Sequence, residues 1–247
     1  MIRYRRRVSF LNIRETWFNY EYKPSDIFGL NVFMHLKDAN KKTIPGVKQI
    51  GHTVELDLEQ DTATIFANFS SDIRRKVRKA GSEGTVCYFQ HDADQFVSFF
   101  NDFAEKKKTF TTSKHKISEL GDYIKMSFAE NNGQLMAAHS YIVDKEMSIV
   151  RGLHSGTTRL KPGSDKSLVG RAHKLLVVND ILYFKEQGFK VFDFGGYADN
   201  TKDESLKGIN RFKLSFGGKV VSCVNYYSYS YWILRKLSKL LGLSGKL

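Results

Sequence analysis

The sequence predicts an α/β protein with one mixed central sheet flanked by helices and an N-terminal extension rich in β structure. Two observations lead to this fold class. First, 41% of the 247 residues are hydrophobic and 13% are aromatic, which is enough material for a substantial core. Second, strand-like runs alternate with helix-like runs from about residue 84 onward. We therefore divide the chain into an extension or partial lobe (residues 1–80), a core (81–229) and a C-terminal amphipathic helix (230–247).

The extension contains three short strand-like runs. Residues 14–22 and 31–37 are rich in aromatic and β-branched residues, and a turn-forming cluster at Pro24–Gly29 separates them. Residues 54–60 show a third short alternation of apolar and polar positions. These features predict that the extension is mostly β structure.

A short, strongly basic helix is predicted at the end of the extension, over residues 70–84. Ser70 or Ser71 can cap its start, and a glycine can end it. Five of the six positions in 74–79 are Lys or Arg, which favours a phosphate-binding surface and a solvated helix face equally.

The core is predicted to run in the order strand, two helices, β-hairpin, helix, strand, helix and final strand. The first five elements are assigned to residues 85–90, 92–108, 117–133, 134–144 and 147–156. Gly170 opens the next helix, the following strand ends at Asp193, the last helix closes before a glycine pair, and the final strand covers 219–229. A single sheet with helices packed on it accounts for this order.

The C-terminal segment combines leucines with the cations Arg235, Lys236 and Lys239. The pattern favours leucines that pack on the chain's own core or on a second subunit. Peripheral contact of residues 230–247 with an anionic membrane is the alternative.

The net charge of +13 and the pI near 9.6 favour anionic partners, namely phosphates, nucleotides, RNA or an acidic membrane surface. Cys87 and Cys223 lie in apolar runs without metal-ligand spacing, so neither a metal site nor a disulfide scaffold is expected. The N-terminus has no apolar signal-peptide region, and no apolar run reaches the roughly 20 residues of a membrane span. These features predict a cytoplasmic protein, either free or peripheral to the inner face of the membrane.

Residues 70–220 resemble a known family. The order of elements is similar to the GNAT acyltransferase fold, and residues 174–196 followed by 208–218 resemble the C-terminal half of the Fem-type family. The motifs that carry the resemblance are a Tyr-Phe-Lys-Glu-Gln-Gly-Phe helix end, Asp-Phe-Gly-Gly and Phe-Lys-x-x-Phe-Gly-Gly. Fem-type proteins include aminoacyl-tRNA-dependent enzymes that build peptidoglycan bridges, and single-domain relatives occur in surface-polysaccharide gene clusters.

The resemblance implies an N-acyltransferase of cell-envelope or surface-polysaccharide biosynthesis. The expected donor is acyl-CoA, used as a co-substrate with no tightly bound cofactor. The expected acceptor is the amine of an amino sugar or amino acid, whether small, nucleotide-linked or lipid-linked. Fem-type ligases usually have two GNAT-like domains and a coiled-coil arm, which this chain lacks, so aminoacyl-tRNA is the alternative donor. A non-catalytic module that binds RNA or an acidic polymer is the other alternative.

The acyl-CoA reading predicts a pyrophosphate-binding loop at the start of a helix. The nearest match to the Gln/Arg-x-x-Gly-x-Gly/Ala pattern runs from Ser167 to Ala172, with Gly170 in register but without the leading Gln or Arg. Free amide groups at a helix start bind phosphate, and Lys166 or Arg171 would add charge. An ordinary helix start is the alternative.

Four residues are candidates for catalysis. His139 lies within a strand and is suited to act as a base, or is a satisfied core histidine, and His154 ends the next strand beside a glycine. Asp193 ends a buried strand, where it either orients a catalytic group or caps the turn. Lys213 belongs to the Phe-Lys motif, which makes it a candidate contact for phosphate or carboxylate.

The acceptor is expected at the loop after the first glycine pair. Gly195 and Gly196 allow close approach of a ligand to the backbone, and Tyr197 and Asp199 follow them directly. No metal ligand is assigned.

Overall fold

The computed structural model describes residues 1–8, 11–18, 26, 28–37 and 45–240. The chain divides into two compact units, one formed by Val54–Val220 and the other by Met1–Thr53 with Val221–Leu247. Strands β4 (Val47–Asp57) and β10 (Lys219–Tyr227) each run from one unit into the other. Residues 54–80, which we grouped with the extension, thus belong to the larger unit.

The unit Val54–Val220 is a mixed sheet flanked by helices. Its sheet order is β4-β9-β8-β7-β6-β5, in which β8 and β9 are parallel and the strands from β8 to β5 are antiparallel. The strands after β4 are β5 (Thr85–Phe89), β6 (Ile124–Asn131), β7 (Gln134–Asp144), β8 (Ile149–Thr157) and β9 (Val191–Tyr197). The helices are α1 (Thr62–Asn68), α2 (Ser71–Ser82), α3 (Ala93–Lys107), α4 (Lys114–Ser118), α5 (Lys166–Glu186) and α6 (Glu204–Leu214).

The other unit confirms the prediction of a β-rich extension. In it, β1 (Ile2–Val8) and β2 (Leu11–Trp17) are antiparallel, β3 (Asn31–Leu36) is parallel to β2, and β10 pairs antiparallel with β3. The predicted strand over residues 14–22 ends at Trp17, and its last positions lie outside the described residues. Helix α7 (Tyr229–Leu240) packs Tyr231 against Tyr227 of β10.

The core of the larger unit forms around α5, whose apolar side packs on the sheet. Ile181, Phe184 and Val178 join Phe192 of β9 and Tyr141 of β7 in one buried cluster. Burying such side chains contributes about 1.5–3 kcal/mol each, so this cluster holds α5 against the strands that line the site.

The predicted helix over residues 117–133 is wrong. Helix α4 ends at Ser118, and Ile124–Asn131 forms strand β6, which pairs with both β5 and β7. Asn132 and Gly133 have φ angles of 50° and 71°, so they form the tight turn that Asn-Gly favours between antiparallel strands. That turn joins β6 to β7 and overrides the helical spacing of the apolar residues.

Other predicted elements are confirmed. Ser70 caps α2 by accepting a hydrogen bond from the N–H of Ile73. Strands β7 and β8 form the predicted hairpin, and β5 and α3 occupy the predicted segments. Helix α1, which Asp61 caps, was not predicted.

Candidate active site

A cavity of about 900 Å³ lies in the unit Val54–Val220. The pairing of β8 with β9 covers Ile149–Arg151 and Val191–Asp193, and both strands continue beyond it to form part of the cavity wall. Leu153 is the extra residue of a β-bulge, because Ser140 pairs with His154 and Tyr141 pairs with Gly152. Bulges locally redirect side chains, and here the bulge lies in the wall of the cavity. The volume suits a small-molecule substrate or the end of a larger one.

The cavity wall is cationic. Six basic side chains from α3, β8, α5, α6 and the segment after β8 line it, and no Asp or Glu side chain does so among the residues that the structure describes. These six are Lys107, Arg151, Arg159, Lys166, Lys174 and Lys213. Such a wall favours an anionic ligand, because clustered charges of one sign in a cleft focus the field.

His139 and Asp180 form a buried pair beside this cavity. Asp180 lies in the middle of α5 and is 0% exposed, and its Oδ2 is 2.7 Å from Nδ1 of His139. Tyr141, two positions along β7 on the same face, donates its hydroxyl proton to the same oxygen over 2.6 Å. Burial and the carboxylate of Asp180 raise the pKa of Tyr141 well above 10, which keeps the phenol a donor.

This arrangement leaves one nitrogen of His139 with a lone pair. The carboxylate of Asp180 can only accept, so this contact assigns a proton to Nδ1, and in that tautomer of the imidazole Nε2 carries the lone pair. Nε2 is buried and has no hydrogen-bond partner among the described residues, and His139 lines the cavity. An oriented imidazole with a free Nε2 has the geometry of a general base.

His173 and His154 also line the cavity, and both are held neutral. His173 lies 5.0 Å from His139 between ring centroids and stacks on Phe212, and burial followed by the charge of His139 lowers its pKa well below 6.5. His154 instead faces α3, since its Nδ1 contacts Ser140 Oγ at 2.7 Å and its ring packs on Phe100. Burial, with the charge of Lys116, lowers the pKa of His154 to about 4.

Asp193 forms a buried ion pair with Arg151 where the pairing of β8 with β9 stops. Strand β9 continues to Tyr197, so the prediction that it ends at Asp193 is wrong. The other oxygen of Asp193 accepts the N–H of Gly195 at 2.7 Å, so Asp193 both orients a cavity cation and fixes the backbone at Gly195, inside β9. Gly195 has a φ of 87°, and an added Cβ would lie 3.3 Å from the carbonyl oxygen of Gly152. That combination of conformation and close approach favours glycine at this position.

Lys213, on α6, contacts the next residue of β9, Gly196. Its Nζ donates to the carbonyl oxygen of Gly196 at 2.5 Å. Burial, with the nearby charge of Arg151, lowers the pKa of Lys213 to about 8. The predicted residues Lys213, Gly195 and Gly196 thus meet in the cavity wall, and Asp193 contacts two of its residues, Gly195 and Arg151.

The predicted phosphate loop has a different geometry from the one expected. Helix α5 begins at Lys166, so Gly170 lies inside the helix rather than opening it. Asp165 caps the helix and accepts the N–H groups of Ser167 and Leu168 at 2.8 and 3.0 Å. A carboxylate therefore already occupies the amide groups that the prediction reserved for phosphate.

Three residues of the segment 166–172 line the cavity, namely Lys166, Val169 and Gly170. Arg171 instead makes a bidentate ion pair with Glu83, and Ala172 is buried in an apolar cluster with Met136 and Val169. A phosphate contact in this region would thus depend on side chains such as Lys166 rather than on a helix start.

The remaining predicted positions do not line the cavity. Tyr197 and Asp199 are not among the residues that line the cavity, and Asp199 is an exposed acceptor for Asn200. The second glycine pair has a packing role. A Cβ on Gly217 would lie 2.8 Å from Cβ of Asn68, and one on Gly218 would lie 2.6 Å from Val54.

Sequence reasoning missed Asp180, His173, Arg151 and Lys174. Asp180 carried a readable signal, because it is the one acid in the mostly apolar helical run Leu175–Phe184. The others gave no such signal, since only the packing of α5 on β7 and β8 brings them to the cavity.

Among the described residues, no helix is both long and apolar enough to cross a membrane, and no group of three or more potential ligands could hold a metal ion.

No family model matches the sequence, and no curated protein matches it. Three solved structures share its fold. FemX has a TM-score of 0.65 at 11% identity, covering 94% of this chain and 85% of its own. L-PGS from Bacillus licheniformis has a TM-score of 0.59 at 11% identity, and the match covers 99% of this chain and 86% of its own. The DUF2156 domain assigned to a lysylphosphatidylglycerol synthetase from Agrobacterium fabrum has 0.60 at 10%, covering 99% and 86%. At the level of the fold, these likenesses confirm the predicted resemblance to Fem-type proteins.

Proposed function

We propose that this chain is an acyltransferase that moves an acyl or aminoacyl group from a phosphate-bearing donor to an amine. The observation that carries the proposal is the buried His139–Asp180 pair. His139 lines a cavity with six cations, and its Nε2 has no hydrogen-bond partner among the described residues. A base is needed to remove the amine proton, and cations are needed to hold an anionic donor.

In the proposed reaction, the amine nitrogen attacks the carbonyl carbon of the donor and a C–N bond forms. Nε2 of His139 takes the amine proton, and the carboxylate of Asp180 stabilises the resulting imidazolium at Nδ1. The bond from the carbonyl carbon to the leaving sulfur or oxygen then breaks, and the leaving atom takes the proton from Nε2. A cavity cation, with Lys213 as our candidate, stabilises the oxyanion of the tetrahedral intermediate.

Two donors fit the charge of the cavity. Acyl-CoA carries phosphates and a thioester, and the GNAT-like order of elements in the sequence favours it. An aminoacyl-tRNA carries an ester, and the likeness to FemX and to L-PGS over 85–86% of their lengths favours this donor, since lysylphosphatidylglycerol contains an aminoacyl group. The acceptor remains the amine of an amino sugar or amino acid of the cell envelope, free or linked to a nucleotide or lipid.

The non-catalytic alternative depends on the basic helix α2. Arg74 donates to the carbonyls of Ala67 and Phe69, and both Arg75 and Lys76 pair with Asp72. These contacts give the cations of α2 a local structural role. They support the cavity, rather than α2, as the main functional site.

The experiment is a transfer assay with each donor in turn. Labelled acyl-CoA and labelled aminoacyl-tRNA would be incubated with amino sugars, amino acids and amine lipids, using the wild type and His139→Gln. The matched control is His115→Gln, a histidine whose side chain is 65% exposed.

We expect transfer from one donor class, lost in His139→Gln and kept in His115→Gln. Equal transfer in all three proteins would overturn the role of His139. If neither donor reacts and neither raises the thermal midpoint, the acyltransferase proposal fails and the binding-module alternative is favoured.

A further inference from the structure

Helix α7 has an apolar ridge on its outer side. Tyr229, Ile233, Leu237 and Leu240 are 53%, 58%, 51% and 83% exposed. Their spacing of three to four residues places them on one face of the helix. Tyr231 and Ser238, which are buried, lie on the opposite side. Leu237 and Leu240 therefore do not pack on the chain's own core, one of the two places predicted for the leucines, whereas packing on a second subunit stays a prediction.

The charges on α7 are all of one sign. Arg235, Lys236 and Lys239 are its only ionisable residues besides tyrosines, and no Asp or Glu occurs in Tyr229–Leu240. The helical wheel places Lys236 and Lys239 beside the apolar ridge on one flank. Lys236 also lies over the ring of Trp232, 5.2 Å from its centroid.

We propose that α7 binds in the plane of an anionic lipid surface through this ridge. Its 12 residues span about 18 Å, too short to cross a hydrocarbon core of about 30 Å, so the helix would lie along the interface. An apolar ridge flanked by lysines, with an aromatic residue at one end, has the composition of interfacial helices. Four large aligned apolar side chains also exceed the scattered exposure that is normal on a protein surface.

Charge decides between this occupant and a second copy of the chain. In a symmetric dimer across the ridge, the lysines of one α7 would approach those of its partner, and like charges disfavour such a face. An anionic lipid surface presents the opposite charge along the whole helix. Each lysine near such a surface contributes about 1 kcal/mol, a factor of about five in binding.

The test is cosedimentation of the full chain with phosphatidylcholine vesicles that do or do not contain phosphatidylglycerol. We expect strong binding only with phosphatidylglycerol, weakened by salt. Ile233→Asp with Leu237→Asp should abolish it, and Lys236→Glu with Lys239→Glu should weaken it roughly 25-fold or more. The matched control is Val86→Asp with Phe110→Asp, two apolar residues that are 62% and 83% exposed in the other unit.

Binding that survives both α7 variants, or that is equal on neutral vesicles, would overturn the proposal. A dimer in light scattering that the aspartate pair dissociates would assign the ridge to a second copy instead. Transfer between a soluble donor and acceptor should be unchanged in the α7 variants. Failure of the lipid proposal is thereby separated from failure of the proposed function.

Discussion

Replacing Asp180 by Asn tests the proposed base most directly. The amide is nearly isosteric but donates its N–H to Nδ1 of His139, which moves the ring proton to Nε2 and removes the lone pair that accepts the amine proton. The carboxylate also stabilises the imidazolium. With Nδ1 and Oδ2 at 2.7 Å, the charge centres lie about 4 Å apart, and an effective dielectric of about 20 gives about 4 kcal/mol. We therefore expect the transfer rate to fall about 10³-fold.

The assay is single-turnover transfer with saturating donor, combined with thermal unfolding. An amide nitrogen at the Oδ2 position cannot accept the hydroxyl proton of Tyr141, so the thermal midpoint of Asp180→Asn is measured to separate a loss of stability from a loss of chemistry. Asp144→Asn is the matched control, since Asp144 is also buried and accepts a hydrogen bond of 3.1 Å from the N–H of Met147. Asp144 does not line the cavity. A rate loss below about tenfold in Asp180→Asn, or an equal loss in the control, would refute the reasoning.

Three further outcomes are expected. Burial lowers the pKa of Lys213 to about 8 in the folded state, so its charge destabilises the fold below that pH. Lys213→Met should therefore raise the thermal midpoint at neutral pH. This gain should vanish as the pH rises from 8 to about 10.5, where the lysine is neutral in the unfolded state as well. In urea denaturation, Gly218→Ala should lower the free energy of unfolding by about 1–3 kcal/mol, because its Cβ has no room. Gly196→Ala has open space around the added Cβ, so it should keep the stability of the wild type but bind the donor more weakly. Lys166→Glu with Lys174→Glu should raise the KM of the donor and reduce the salt dependence of that KM, measured across an ionic-strength series.

The parts of the fold that were predicted are those with strong local signals. Ser70 caps α2, the Phe residues of α3 recur at helical spacing, and the hairpin of β7 and β8 is fixed by a short turn. Strand β6 was predicted as a helix because its conformation depends on pairing with β5 and β7. Strand β5 is distant in sequence, and β7 follows a tight turn, so neither pairing gives a local signal.

The site was predicted only in part for the same reason. His139 and Asp193 lie on strands whose position a sequence pattern can locate. Their partners Asp180 and Arg151 are 41 and 42 residues away, and only tertiary packing joins them. The start of α5 was predicted at Gly170, but the helix begins after Asp165, because an Asp side chain caps a helix start more strongly than a glycine.

The burial of His173 and His154 also determines where a proton can go. Three histidines line one cavity, yet two of them have pKa values too low to hold a proton at neutral pH. Under the proposed chemistry, a proton that His139 takes from the acceptor therefore cannot pass to a neighbouring imidazole. The leaving group becomes its favoured destination, so the same side chain acts first as base and then as acid within one turnover.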